Sequence, residues 1–297
     1  MAFSSGPHAP VPSHEIPLSR PDITDLEIDL VVRTLRSGRL ALGPMAEQFE
    51  KVVASHADCE FGVSVSNGTC GLHMALLALG IGPGDEVITT PFSFIASSNC
   101  ILYVGAKPVF VDICPKTLNM DPERLEAAIT SRTKAIIAVE TFGNPAYMDA
   151  YAQIAQRHEI PLIEDCCEAL GSRLRGRPAG SFGRIGVFAF YPNKQITTGE
   201  GGCIVTNDRR LANVCRSLRN QGRAVADPAA SPGGASGGSN GTGGGGSGGL
   251  SNGGGGAGAL GGASYGSAGF TSGGVGNWLA HESMGFVGCA RLGEDGE

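Results

Sequence analysis

Residues 187–203 read VFAFYPNKQITTGEGGC, an apolar run that breaks at a single lysine, Lys194. Two threonines and the glycines Gly199, Gly201 and Gly202 follow, which let backbone pass close to a neighbour. A lysine at a strand end can lay its stem along apolar surface and keep its ammonium in water. It can also be a desolvated amine kept reactive toward carbonyl groups. Its partners elsewhere in the chain separate these readings.

Two other stretches end an apolar run in residues able to do chemistry. SVSNGTCGLHMALLALG stops a strand pattern at Ser66-Asn67-Gly68-Thr69 and starts a helical one at once. The free amides of a helix start, a glycine and a hydroxyl suit a phosphate group. The same residues also make an ordinary capped turn. IPLIEDCCEALGS ends its apolar run at Asp165, with Glu168 three residues on. Alone, each feature is commonplace. Together, a phosphate cradle, a strand-end carboxylate and a later lysine describe a pyridoxal phosphate site. The lysine would hold the cofactor's aldehyde, the carboxylate would keep the ring nitrogen protonated, and the cradle would anchor the phosphate.

The elements that must position these groups alternate along the chain. Strand patterns are FGVSVS, EVITT, PVFVD, KAIIAV, IPLIED, VFAFY and GCIVT, and helical patterns cover 70–79, 94–103, 121–129, 147–157 and 208–219. Earlier, Asp22 is placed to cap one helix and Pro44 to open another. This is an α/β chain with a mostly parallel sheet, in which ligands collect at the carboxyl ends of strands. GIGPGDEV is no dinucleotide-binding turn, because a strand rather than a helix follows its glycines.

Composition narrows the class. A net charge of −6 argues against a dedicated nucleic-acid binder. Nine cysteines without C-x-x-C pairs indicate neither zinc nor a disulfide framework, and Cys166 and Cys167 read as small buried residues. The start lacks an apolar run and no segment is long enough to span a bilayer, so a cytoplasmic protein without membrane partners is expected. From Ser231 to Asn277 there is no charged residue and 23 of the 47 glycines are found, which predicts a disordered insertion. The expected organisation is a disordered start (1–14), a large domain (15–224), the glycine-rich insertion (225–276) and a residual segment (277–297).

IPLSRPDITDLE, SNGT, PFSFIASSNCILYVGAKPVFVDI, IEDCCEALGS and above all FYPNKQITTGEGG resemble the DegT/DnrJ/EryC1/StrS family of pyridoxal phosphate-dependent sugar aminotransferases. The resemblance implies the aspartate aminotransferase-like fold (fold type I). It implies Lys194 as the cofactor's lysine, Asp165 as partner of the ring nitrogen, and Gly68 and Thr69 as the phosphate turn. It also places Glu168 near the ring hydroxyl and Phe94 over the cofactor, although Phe94 reads equally well as core. The implied reaction moves an amino group from glutamate or glutamine to a keto group of a nucleotide-linked sugar, in amino-sugar or polysaccharide biosynthesis, by a homodimer.

Several positions depart from the family pattern. Ala189 stands where relatives often carry a phosphate-binding serine, and Glu140 where a histidine is usual. After Phe286 the expected Asn-Tyr-Arg segment and small C-terminal domain do not follow. A truncated non-catalytic or regulatory relative is therefore the runner-up reading. A sugar dehydratase-like enzyme is a further alternative, against which Lys194 itself argues, since that branch carries histidine there.

Overall fold

The computed structural model describes residues 20–225. The expectations for the start of the chain, for the glycine-rich tract beyond Val225 and for residues 277–297 lie outside the described residues. Two helices, α1 (Asp25–Arg36) and α2 (Pro44–His56), lead into an alternating series. It runs β1 (Phe61–Val65), α3 (Gly68–Ala78), β2 (Glu86–Thr89), α4 (Ala96–Tyr103), β3 (Lys107–Phe110) and α5 (Pro122–Ala127). It continues β4 (Thr133–Val139), α6 (Met148–Arg157), β5 (Leu162–Asp165), β6 (Arg173–Leu174), β7 (Arg177–Pro178), β8 (Ile185–Ala189), β9 (Gly202–Thr206) and α7 (Arg209–Arg219).

Seven strands form one sheet in the order β1-β9-β8-β5-β4-β2-β3, with β9 running against both its neighbours and the remaining pairs parallel. The strands read as unbroken apolar runs because helices cover both faces. Alternate side chains of β4 show the two layers. Ala135 and Ile137 join a core with Leu72, Leu76 and Ile101 from α3 and α4. Ile136 and Ala138 join another with Leu125, Met148, Tyr151 and Ile154 from α5 and α6. A third core sets Phe49 and Val53 of α2 against Phe188, Phe190 and Val205. The expected largely parallel α/β architecture is present.

Two local readings change. Thr24, not Asp22, stands at the N-cap of α1, where its amide donates to Glu27 Oε2 at 2.6 Å in a capping box. The two short strands β6 and β7 pair as a hairpin that no apolar alternation announced.

Candidate active site

Because β5, β4, β2 and β8 are parallel, their carboxyl ends meet at one edge of the sheet. There lies a cavity of about 640 Å³, lined by Asn67, Gly68, Thr69, Phe94, Asp165 and Lys194 among others. The three strand-end features of the sequence thus converge on one space.

The phosphate-side wall begins where β1 ends. Asn67 caps α3, its side-chain oxygen accepting from Cys70 N at 2.9 Å. The first turn of α3 holds no acidic side chain, so its positive dipole end is uncompensated. Glycine is required here by close approach. A Cβ on Gly68 would lie 2.7 Å from Cys167 Sγ and 2.9 Å from Ala189 Cβ, and one on Gly202 would lie 2.7 Å from the Asn67 backbone. Ala189 therefore packs against the cradle.

Asp165 closes the floor. Its Oδ2 accepts from Ser97 Oγ at 2.7 Å and its Oδ1 from Cys167 N at 3.3 Å. Ser97 Oγ in turn lies 2.8 Å from Ser93 Oγ. Neither serine was foreseen from the sequence, because Ser93 lies on the loop before α4 and Ser97 in its first turn, and only the fold brings them beside Asp165. Cys166 is buried as expected, whereas Cys167 borders the cavity. Burial and then the Asp165 charge push the Cys167 thiol well above its ordinary value, so it is a neutral wall and not a nucleophile.

Lys194 sits on the loop between β8 and β9. Its side chain is 15% exposed, and Nζ lies 3.3 Å from Glu168 Oε1. The loop is pinned at its base, where Phe190 O accepts from Thr198 N and Thr197 Oγ1, each at 3.0 Å, and Phe190 N donates to Gly201 O at 2.9 Å. The threonines after the lysine thus close the loop that presents it. Glu168 also accepts from Phe142 N at 3.1 Å, which fixes the carboxylate beside the amine. Phe94 is 77% exposed at the cavity mouth, so its reading as core is corrected: it follows β2 on a loop that projects past the sheet edge.

The residues fit pyridoxal phosphate. An amine, a fixed carboxylate and an open helix N-terminus line one cavity, and glycines keep the helix start free of side-chain bulk. The cofactor would be held by Lys194, Asp165, Gly68 and Thr69. Among the described residues, no helix is long and apolar enough to cross a membrane.

Comparison with known proteins follows the same lines. GDP-perosamine synthase of Caulobacter vibrioides is 44% identical over 208 residues, which are 70% of this chain and 56% of that protein. An aminotransferase from Psychrobacter cryohalolentis superposes with a TM-score of 0.67 at 40% identity, over 69% of this chain and 52% of the other. Spr1654 from Streptococcus pneumoniae, solved in its PLP form, gives a TM-score of 0.66 at 35% identity, over 68% of this chain and 57% of the other. The chain thus spans a little over half the length of these relatives. The profile of the DegT/DnrJ/EryC1/StrS aminotransferase family matches residues 21–239, and the chain belongs to that family.

Proposed function

We propose that this chain is the cofactor-binding large domain of a pyridoxal phosphate-dependent aminotransferase acting on a nucleotide-linked keto sugar. One observation carries the reading: Lys194, Asp165 and the open start of α3 face a single cavity. Bound pyridoxal phosphate supplies an aldehyde for amine exchange and a ring that withdraws electrons from the substrate carbon. Lys194 Nζ would hold that aldehyde carbon and, when free, carry a proton to and from the amine-bearing substrate carbon. Asp165, fixed by Ser97 and Cys167, would hold the proton on the ring nitrogen. Glu168, paired with Lys194, would orient the amine and face the ring hydroxyl. Phe94, free at the mouth, would cover one face of the ring.

The sugar substrate is supported by the relative that makes GDP-perosamine, an amino sugar on a nucleotide. Glutamate or glutamine is the proposed donor and a homodimer the proposed assembly. Titrating the pure chain with pyridoxal phosphate tests the reading. A yellow absorbance band should form in the wild type and not in Lys194→Ala. A folded wild type that forms no such band contradicts it and favours a non-catalytic role. Incubation with a nucleotide-linked keto sugar and each amino donor then tests the substrate by mass.

A further inference from the structure

Three carboxylates meet where two adjacent parallel strands end. The chain leaves β4 at Glu140, while β5 carries Glu164 and Asp165, with Val139 in register with Asp165. Glu140 is 1% exposed and Glu164 is fully buried. Their partners differ. Glu164 accepts from Gly180 N at 2.8 Å through Oε2 and from Gly183 N at 2.5 Å through Oε1. Asp165 accepts from Ser97 and Cys167. Both carboxyl oxygens of Glu140 are buried without a hydrogen-bond partner. Yet a Glu140 oxygen, a Glu164 oxygen and Cys166 Sγ lie within 4.8 Å of one another.

An ionised Glu140 would be an unpaired buried charge beside two other carboxylates, which a fold does not tolerate without relief. Two cations could relieve it. A metal ion would have to share Glu164 with the amides of Gly180 and Gly183 and take a thiolate from Cys166. Burial pushes that thiol well above its ordinary value, so a metal would also have to displace its proton. A proton on Glu140 needs neither change. Glu164, already the acceptor of two amides, is the member built to stay ionised.

We propose that Glu140 is held as a neutral carboxylic acid at neutral pH, its proton directed at Glu164, behind the cavity floor that Asp165 forms. Only its purpose rests on the aminotransferase reading: it keeps a further buried charge from forming behind the floor on which the cofactor ring would lie. Lys194 and Glu168 offset each other, so Asp165 is then the carboxylate left for a cationic ligand group. The groups facing Glu140 are Glu164, Asp165 and Cys166; burial foremost, then the two carboxylates, favour its protonation, and Cys166 opposes it. Burial raises Glu164 too, against the Gly183 and Gly180 amides that favour its charge, so the pair holds its proton more tightly when folded than when unfolded. Stability from this source is complete below the ordinary glutamate value of 4.5 and declines as pH rises above it toward the raised value of buried Glu140.

Infrared spectroscopy of the full chain tests this without bound cofactor, so its failure is distinct from failure of the aminotransferase reading. At pH 7 the wild type should show the carbonyl stretch of a buried protonated carboxyl. The band should vanish in Glu140→Gln and persist in Asp165→Asn. The melting temperature of Glu140→Gln should gain on the wild type as pH rises from about 5 to about 8. No such band in the wild type, or its loss in Asp165→Asn instead, overturns the proposal. So does a stoichiometric divalent metal in the purified wild type. Should Glu140→Gln fail to fold, the wild-type band titrated against pH still decides, since its absence at pH 7 is fatal.

Discussion

At the scale of residues, the site depends on which groups are held and by what. Asp165 is fixed by a hydroxyl and an amide, so Asp165→Asn should keep the fold, as circular dichroism would report. Its transamination rate should nonetheless fall by orders of magnitude, because an amide cannot hold the ring nitrogen protonated. A near-normal rate would assign that role elsewhere. Ser97→Ala should weaken cofactor binding by roughly tenfold, the scale of one hydrogen bond to a charged group, while Ser97→Thr should restore it. An equilibrium titration followed by absorbance checks both. Lys194 and Asp165 were legible in the sequence because each interrupts or ends an apolar run. Ser97 was not, because a helical serine shows its partner only once α4 is set beside β5. The pairing of Lys194 with Glu168 was equally hidden, since it joins two loops 26 residues apart in the chain.

At the scale of elements, strands and helices were legible because both faces of the sheet are covered, which writes each strand as an apolar run. The β6–β7 hairpin was invisible for the opposite reason: its residues Arg173, Leu174, Arg177 and Pro178 carry no such run. The start of β2 offers a test of how strands are tied. Glu86 is nearly inaccessible, and Arg132, Thr130 and Lys107 hydrogen bond to it at 2.8, 2.7 and 3.3 Å. These partners, Arg132 foremost, hold its carboxyl down at about 2. The folded state therefore favours the charged form, and this stability is present above the ordinary value of 4.5 and lost as pH falls from there through about 2. Glu86→Gln should melt below the wild type at pH 7, with the gap closing in acid. A gap that does not change with pH would show that Glu86 acts through packing alone. Gly202→Ala should loosen the α3 cradle, because its Cβ meets the Asn67 backbone at 2.7 Å. Cofactor affinity should fall more than the melting temperature does.

At the scale of the whole molecule, the described residues carry a seven-stranded sheet, and the chain spans a little over half of its relatives' lengths. The cavity opens beside exposed aromatic side chains, Phe92, Phe94, Phe142 and Tyr191. Exposed apolar surface of this kind marks an interface, so light scattering of the cofactor-loaded chain should report a homodimer. A stable loaded monomer would show that a second copy is not needed. The chemistry proposed for the full chain depends most on one covalent attachment. Borohydride reduction of the cofactor-loaded protein, followed by peptide mass mapping, measures it directly. The pyridoxyl adduct is expected on Lys194, within FYPNKQITTGEGG; an adduct on another lysine, or none despite bound cofactor, would contradict the assignment.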